Sequence, residues 1–352
     1  MLAIVAASLS FEQERLNFWV RSLTVSVPNH RRRVAIALAG APALWATGRA
    51  GAQVAWPTQP IRIVVTFPPG GASDIVARLL APAMAEVLGQ PVIVENRPGA
   101  GSTIGAAAVA QARADGYTVL ASNSAPMSIS PVLMAKPTYD PLRSFEHLAY
   151  IGAVPTVVVV HPSVPARSFG EFLTWARAQK DPIPFGSGGT ASVGHIVGEL
   201  LARQAGIRLL HVPYKGAGPM RSDLLGGQLP MAVDALPQNL AQMKSGKLRL
   251  LAVTSADRVP TAPDVPSVTE LGMSELVAEN FVGLSAPAGL PAAISSRLIE
   301  ALNTALARAD IREKLDAQGF VLAKKSPAEF TEFIRMQAQR WAPIVRESGA
   351  QL

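Results

Sequence analysis

The stretch TFPPGGASDIVARLL, Thr66 to Leu80, overlaps a β-branched run, IRIVVTF, Ile61 to Phe67. The run reads as a strand. Val76, Leu80, Met84 and Val87 then recur at helical spacing, so two prolines and two glycines stand where a strand hands over to a helix. Pro82 falls inside that helix and is expected to kink or split it. No Lys-Ser/Thr follows the glycines, which excludes a P-loop. The remaining parts suit a small anion. Gly70 and Gly71 let the main chain approach a ligand closely, and the helix's first free N–H groups and dipole favour negative charge. Ser73 or Asp74 is expected to cap the helix. An ordinary capped turn with nothing bound uses the same residues, and this stretch alone does not separate the two readings.

Outward from this turn, strand-like runs alternate with helical ones. Strands are expected at 61–67, 92–95, 117–121, 156–161, 183–186, 208–212, 230–234, 248–254 and 279–286. Helices are expected over 168–180, opening on Ser168 and Glu171, and after Ser326-Pro327-Ala328-Glu329, both with capping-box spacing. Such alternation predicts an α/β fold with mostly parallel sheets flanked by helices. The run TVVVVHPSVP, Thr156 to Pro165, reads as a buried strand leaving one sheet and ending in a stiff hinge. The expected organisation is two lobes with a cleft between them. Residues 57–160 and 279–352 form the first lobe and 161–278 the second.

A second turn repeats the layout of the first. In IPFGSGGTASVGHIVGELL, Ile183 to Leu201, a short strand meets Gly186-Ser187-Gly188-Gly189-Thr190 and then a helix. Hydroxyls at Ser187, Thr190 and Ser192 add donors. The pattern is not the G-x-S-x-G of a nucleophile elbow. A third turn, ENRPGAGSTIGA from Glu95, also puts glycine after a strand, and Arg97 there is a candidate carboxylate partner or a surface residue. Ligands of parallel α/β sheets sit beyond the strands' carboxyl ends, so two anion-ready turns in different halves suggest two lobes facing one cleft.

Composition narrows the chemistry. The absence of cysteine excludes disulfides, thiolate nucleophiles and Cys-ligated metal sites, and five histidines form no metal-ligand spacing, so no cofactor is expected. At the N-terminus, Arg31-Arg32-Arg33, an apolar run from Val34 to Leu44 and Ala50-Gly51-Ala52 follow the order of an export signal. Residues 1–52 are assigned to that signal, with cleavage after Ala52, by a Sec or twin-arginine route, and the upstream length raises the question of a later start codon. Six of the 32 basic and two of the 25 acidic residues lie there, leaving 26 against 23. The high isoelectric point is therefore no argument for nucleic acid, and no basic run interleaves with aromatics.

These motifs occur in one order along the chain: WPTQPIRIVVTFPPGGASDIVAR, VIVENRPGAGSTIGA, DGYTVLASNSAPMSISPVL, FGSGGTASVGH, HVPYKGAGP, DALP and GLSAPAGLP. As an ordered set from Trp56 to Val345, they resemble the Bug-type periplasmic solute receptors related to tripartite tricarboxylate transporters. The resemblance implies a type II periplasmic-binding-protein fold and a ligand carboxylate held by backbone N–H groups and bridging waters. Carried over by position, the first-lobe site is Phe67, Pro68, Gly70, Gly71, Ala72 and Asp74, with Ser122 and Asn123 lining the same pocket. The second-lobe site is Ser187, Gly188, Gly189, Thr190, Ser192 and His195, with Tyr214 and Asp234 completing the wall. Gly101-Ser102-Thr103 departs from the family's usual Gly-Gly-Asn-like loop end, which leaves that loop unassigned.

Individual residues admit two roles each. His195 either meets the ligand or fastens its loop. Asp74 and Asp234 would repel a carboxylate, so each is either structural or accepts from a ligand nitrogen, in which case the solute is no plain dicarboxylate. Tyr214 and Lys215 are rim residues or lobe contacts. The implied function is a periplasmic, monomeric, non-enzymatic receptor that closes on a small organic acid, amino acid or aromatic carboxylate. It would deliver that solute to the membrane components of a tripartite transporter or to a sensor, the latter making it a signalling adaptor. The competing reading is a secreted hydrolase using Ser192 with His195, three residues apart on one helix face. No orienting acid, elbow or metal cluster supports it.

Overall fold

A computed structural model describes residues 56–352, so the export signal and its cleavage after Ala52 lie outside the described residues. The first part of the chain gives β1 (Ile61–Val65), α1 (Ala72–Leu88), β2 (Val92–Asn96), α2 (Thr103–Ala110), β3 (Thr118–Asn123), α3 (Ser130–Leu133) and β4 (Phe145–Val160). The middle gives α4 (Phe169–Arg177), β5 (Ile183–Ser187), α5 (Val193–Ala205), β6 (Leu209–Pro213), α6 (Ala217–Leu225), β7 (Met231–Ala235), α7 (Leu240–Lys244) and β8 (Arg249–Val253). The last part gives β9 (Glu279–Pro287), α8 (Ala292–Ala307), α9 (Ala309–Ala317), β10 (Val321–Lys325) and α10 (Pro327–Glu347).

β4 organises everything else. Its residues from Phe145 to Pro155 pair with β9, and β10 also joins along this half. Its residues from Thr156 to Val160 pair with β7 and β8. One strand therefore carries two sheets, and the partner changes at Pro155–Thr156, ahead of the His161–Pro165 stretch. Proline has no N–H to give to a ladder, so a change of partner is a place that tolerates it. The strand expected at 156–161 thus begins eleven residues earlier. Fifteen of its sixteen residues are buried, and a strand covered on both faces shows no alternation by which to recognise it.

The α/β architecture has two lobes, but its sheets are mixed rather than mostly parallel. β2, β1 and β3 run parallel, as do β6, β5 and β7. β9 enters antiparallel to both β3 and β4, and β4 is antiparallel to β7 and β8. The cause is the crossing itself, because a strand that passes from one sheet to the other meets the returning strand head to tail.

α1 is one helix of 17 residues, so Pro82 does not split it. Pro82 is exposed, and the carbonyl that loses its partner can turn to water. The cap of α1 is Gly71 with no side-chain bond, rather than Ser73 or Asp74. α4 and α10 open on the expected caps. Ser168 accepts from the Glu171 N–H, and Ser326 with Glu329 forms a complete capping box. α10 spans both cores. Phe330 and Ile334 pack among Val64, Leu120 and Phe281, whereas Trp341 and Val345 pack among Phe172, Ile196 and Val197. The C-terminal stretch therefore does not belong wholly to the first lobe.

The crossings are sewn together where β4 changes partner. The Thr156 N–H donates to Thr254 Oγ1 at 2.9 Å, and the Thr254 N–H donates back to the Thr156 carbonyl at 3.0 Å. The Ala278 N–H then donates to the Thr254 carbonyl at 2.8 Å. Both outgoing and returning chains pass this point within one hydrogen-bonded knot.

Candidate functional site

Three helices begin at one place between the lobes. α1 starts at its cap Gly71, α5 at Ser192 and α6 at Gly216. The first N–H groups of a helix have no acceptor in the helix, and the aligned peptide dipoles leave partial positive charge there. Gly71, Ala72 and Ser73 meet Ser192, Val193 and Gly194, and Gly216 and Ala217, around an inner cavity of about 60 Å³. Asp234 is the single ionisable side chain lining it among the described residues. An anion here faces main-chain dipoles, with no lysine or arginine in the wall.

Local sequence explains this convergence. Asp74 lies three residues into the α1 cap and reaches back, its Oδ2 accepting from the Gly70 N–H at 2.9 Å. Arg78 Nε at 2.9 Å and Asn96 Nδ2 at 2.9 Å hold Oδ1. Burial alone would raise the Asp74 carboxyl, but the Arg78, Gly70 and Asn96 bonds outweigh it and hold the group below its ordinary value. The same Asn96 amide donates to the Phe67 carbonyl at 3.0 Å, fixing the loop's other limb. On the second side, a Cβ at Gly194 would stand 2.1 Å from the Val233 carbonyl oxygen. Only glycine lets α5 start against the main chain of β7, and this brings Asp234 next to the α5 terminus. Gly189, at φ 132°, turns the chain ahead of α5 in a conformation that side chains rarely adopt.

Of the expected site residues, Phe67, Pro68, Gly71, Ala72, Gly188, Ser192 and Asp234 line the inner cavity. Gly189, Thr190 and Tyr214 line a larger outer chamber of about 480 Å³, which shares Phe67, Pro68 and Gly188 with the inner one. Lys215 is also on the outer wall.

The others stand behind the walls. The Gly70 carbonyl accepts from Gln238 Nε2 at 2.9 Å, and Asp74 is spent on the contacts above. Ser122 and Asn123 do not reach the cavity as expected, because both are fully buried in the sheet. Ser122 Oγ accepts from Ser285 Oγ at 2.9 Å, and Asn123 Nδ2 donates to Thr66 Oγ1 at 3.1 Å. Ser187 is not a free donor either, since its hydroxyl lies 2.7 Å from His211 Nε2 and donates to the Gly189 carbonyl at 3.1 Å. Arg97 pairs with Glu95 at 2.7 Å.

His195 fastens its loop. Its Nδ1 accepts from the Ala191 N–H at 3.2 Å, and its ring stacks on His211 at 3.7 Å between centroids. Burial brings His195 down to about 4, and burial with the neighbouring His195 brings His211 to about 3. The Ser192 hydroxyl is occupied as a helix cap, accepting the His195 backbone N–H at 3.2 Å. The imidazole that a hydrolase would need as its base is turned to Ala191 and His211.

Sequence reasoning missed Thr156, Gln238 and Asn280, which line the inner cavity from the crossings and from the turn after β7. The nearest signal for Gln238 was the DALP motif ending one residue before it. Burial pushes the Asp234 carboxyl up to about 6, with the Asn239 amide, the Ala235 backbone and the Arg221 charge pulling the other way.

Comparison with known proteins matches this geometry to one family. Residues 76–350 match the family described as the tripartite tricarboxylate transporter family receptor. The protein BugT of Bordetella pertussis is 38% identical over 298 residues, covering 84% of this chain and 91% of BugT. Among solved structures, an R. palustris protein with adipate has a TM-score of 0.80, with 30% identity, over 84% of this chain and 100% of that one. MatC from Rhodopseudomonas palustris with bound malate has a TM-score of 0.78, with 29% identity over 82% of this chain and 100% of MatC. The chain belongs to the tripartite tricarboxylate transporter receptor family and is a solute-binding receptor.

Proposed function

We propose that this receptor works outside the cytoplasmic membrane, in the periplasm, and captures a small solute through a carboxylate. The solute's carboxylate lies among the first-turn N–H groups of α1, α5 and α6. The supporting observation is that three helix N-termini meet at a cavity whose wall carries no cation. Malate and adipate, bound in two family structures, are both carboxylates, which favours the same chemistry here.

Capture proceeds by closure of the lobe that carries β1, β2, β3 and β9 on the lobe that carries β5, β6, β7 and β8. α1 starts in the first and α5 and α6 in the second, so all three donate together only when the lobes are closed. That difference in donors gives the ligand its preference for the closed form, without which binding shifts no population. The loaded monomer then passes its solute to a membrane transporter of the tripartite kind.

A thermal-shift screen of the mature protein against small organic acids tests the reading. A ligand at a hundredfold excess over its Kd should stabilise by about 2.7 kcal/mol. Stabilisation by a neutral sugar and by no carboxylate would refute the anion site.

A further inference from the structure

We infer that this site selects acids that also carry an N–H donor, an ammonium or a primary amide, and seats that donor against Asp234 and Gln238. The inference rests on the carboxylate-receptor reading above and narrows its solute class.

The lining of the inner cavity is of two chemical kinds: helix first turns, which offer hydrogen-bond donors, and the side chains of Asp234 and Gln238, which offer acceptors. Asp234 is 6% exposed and lines the cavity. An ionised carboxylate only accepts, with about four lone-pair positions, and a single side-chain partner occupies it, Asn239 Nδ2 on Oδ2 at 3.0 Å.

Gln238 lines the same cavity. Its Nε2 is committed to the Gly70 carbonyl at 2.9 Å, and its Oε1 is buried with no partner. Turning the amide over would set Oε1 against the Gly70 carbonyl, acceptor against acceptor, so the free position is an acceptor whichever way the amide is first placed. Buried acceptors without donors cost free energy until a donor arrives.

Candidate groups differ in what they bring to these acceptors. A second carboxylate sets like charge beside Asp234 with no cation in the cavity wall to relieve it. A methyl group leaves both acceptors unpaired. A hydroxyl has one proton for two acceptors, whereas an ammonium or a primary amide has at least two. An ammonium also balances the Asp234 charge.

Titration calorimetry at pH 7.5 with a matched four-carbon series tests this: succinate, succinamate, 4-aminobutanoate, 4-hydroxybutanoate and butanoate, with the three- and five-carbon homologues of each. At the best-fitting length, the amide or ammonium member should bind at least tenfold more tightly than the dicarboxylate, hydroxyl and methyl members. Asp234→Asn keeps an oxygen for Asn239 while removing the charge, and should reduce the preference for ammonium over carboxylate below threefold. Gln238→Ala, which leaves Asp234 in place, should lower the preference for the amide over the methyl member at least threefold, beyond any weakening common to all members, and a thermal melt of each variant confirms folding. Equal or tighter binding of succinate or butanoate by the wild type would overturn the inference and leave the receptor reading standing, as would both variants keeping the full preference. Failure of every acid in the series to bind, while another carboxylate stabilises the protein in the thermal-shift screen, would overturn this inference alone; failure of both would remove the carboxylate reading with it.

Discussion

At the residue scale, the donors that matter are main-chain groups, and a side chain is most informative where it intrudes on them. Gly71 has φ −78° and ψ 166°, extended backbone open to any residue. A Cβ there would meet only the Pro68 carbonyl at 3.7 Å and the Phe67 Cβ at 3.8 Å, ordinary contact distances. Gly71→Ala should therefore cost no more than about 1 kcal/mol, the weaker cap being its main effect, while placing a methyl group where the proposed anion lies. A loss of affinity of roughly tenfold, about 1.4 kcal/mol, is expected by calorimetry, and unchanged affinity would put the solute elsewhere. The sequence made Gly71, Ala72 and Gly188 legible because two glycine-rich strand-to-helix turns in different halves of the chain repeat one layout. It did not distinguish residues that face the cavity from those that hold the turn. Asp74, Ser187 and His195 carry the right chemistry for a ligand, but their hydrogen-bonding capacity is committed to Arg78, His211 and Ala191. Thr156, Gln238 and Asn280 reach the cavity through the crossings, and no local pattern announces a long-range approach.

At the element scale, the second cradle rests on a buried imidazole pair behind the start of α5. His195 is brought by burial from 6.5 to about 4, so the folded protein resists a proton that the unfolded chain accepts. The unfolded state binds more protons across that interval, and stability falls as the pH drops from 6.5 toward 4. The loss attributable to His195 is at most about 3 kcal/mol. Urea unfolding at pH 7 and pH 4.5 should show it together with the losses from His147 and His211, and His195→Gln should reduce the difference; an unaltered difference would mean that His195 does not contribute to it. Elements with strong period or clear caps were legible: α1, α4 and α10 lie where their apolar stripes and Ser-x-x-Glu caps put them. The first half of β4 was not, because a fully covered strand has no polar face to set its period. β10 was missed for the opposite reason. Val321–Lys325 is a mostly exposed edge strand with two lysines and too little apolar character to stand out.

At the scale of the whole molecule, Gln238 also connects the second lobe to the first through its bond to the Gly70 carbonyl. A neutral hydrogen bond of this kind contributes roughly 1 kcal/mol net, so Gln238→Ala should lower the closed population of the empty receptor about fivefold. Small-angle scattering would register this as a larger radius of gyration without ligand, and an identical radius would show that the contact does not restrain closure. Two-lobed architecture was legible from paired turns in different halves of the chain, and the outgoing crossing from the run after Thr156, but that one strand serves both sheets was not. β4 runs through both sheets, lying between β9 and β10 in one and between β7 and β8 in the other, and α10 lays one end on each core. A cut anywhere between Phe145 and Val160 would break the strand that the two sheets share, and loss of the final helix would uncover two interiors at once. Neither half is a freestanding piece, and the part that the proposed closure would bend is also the part that the chain cannot fold without.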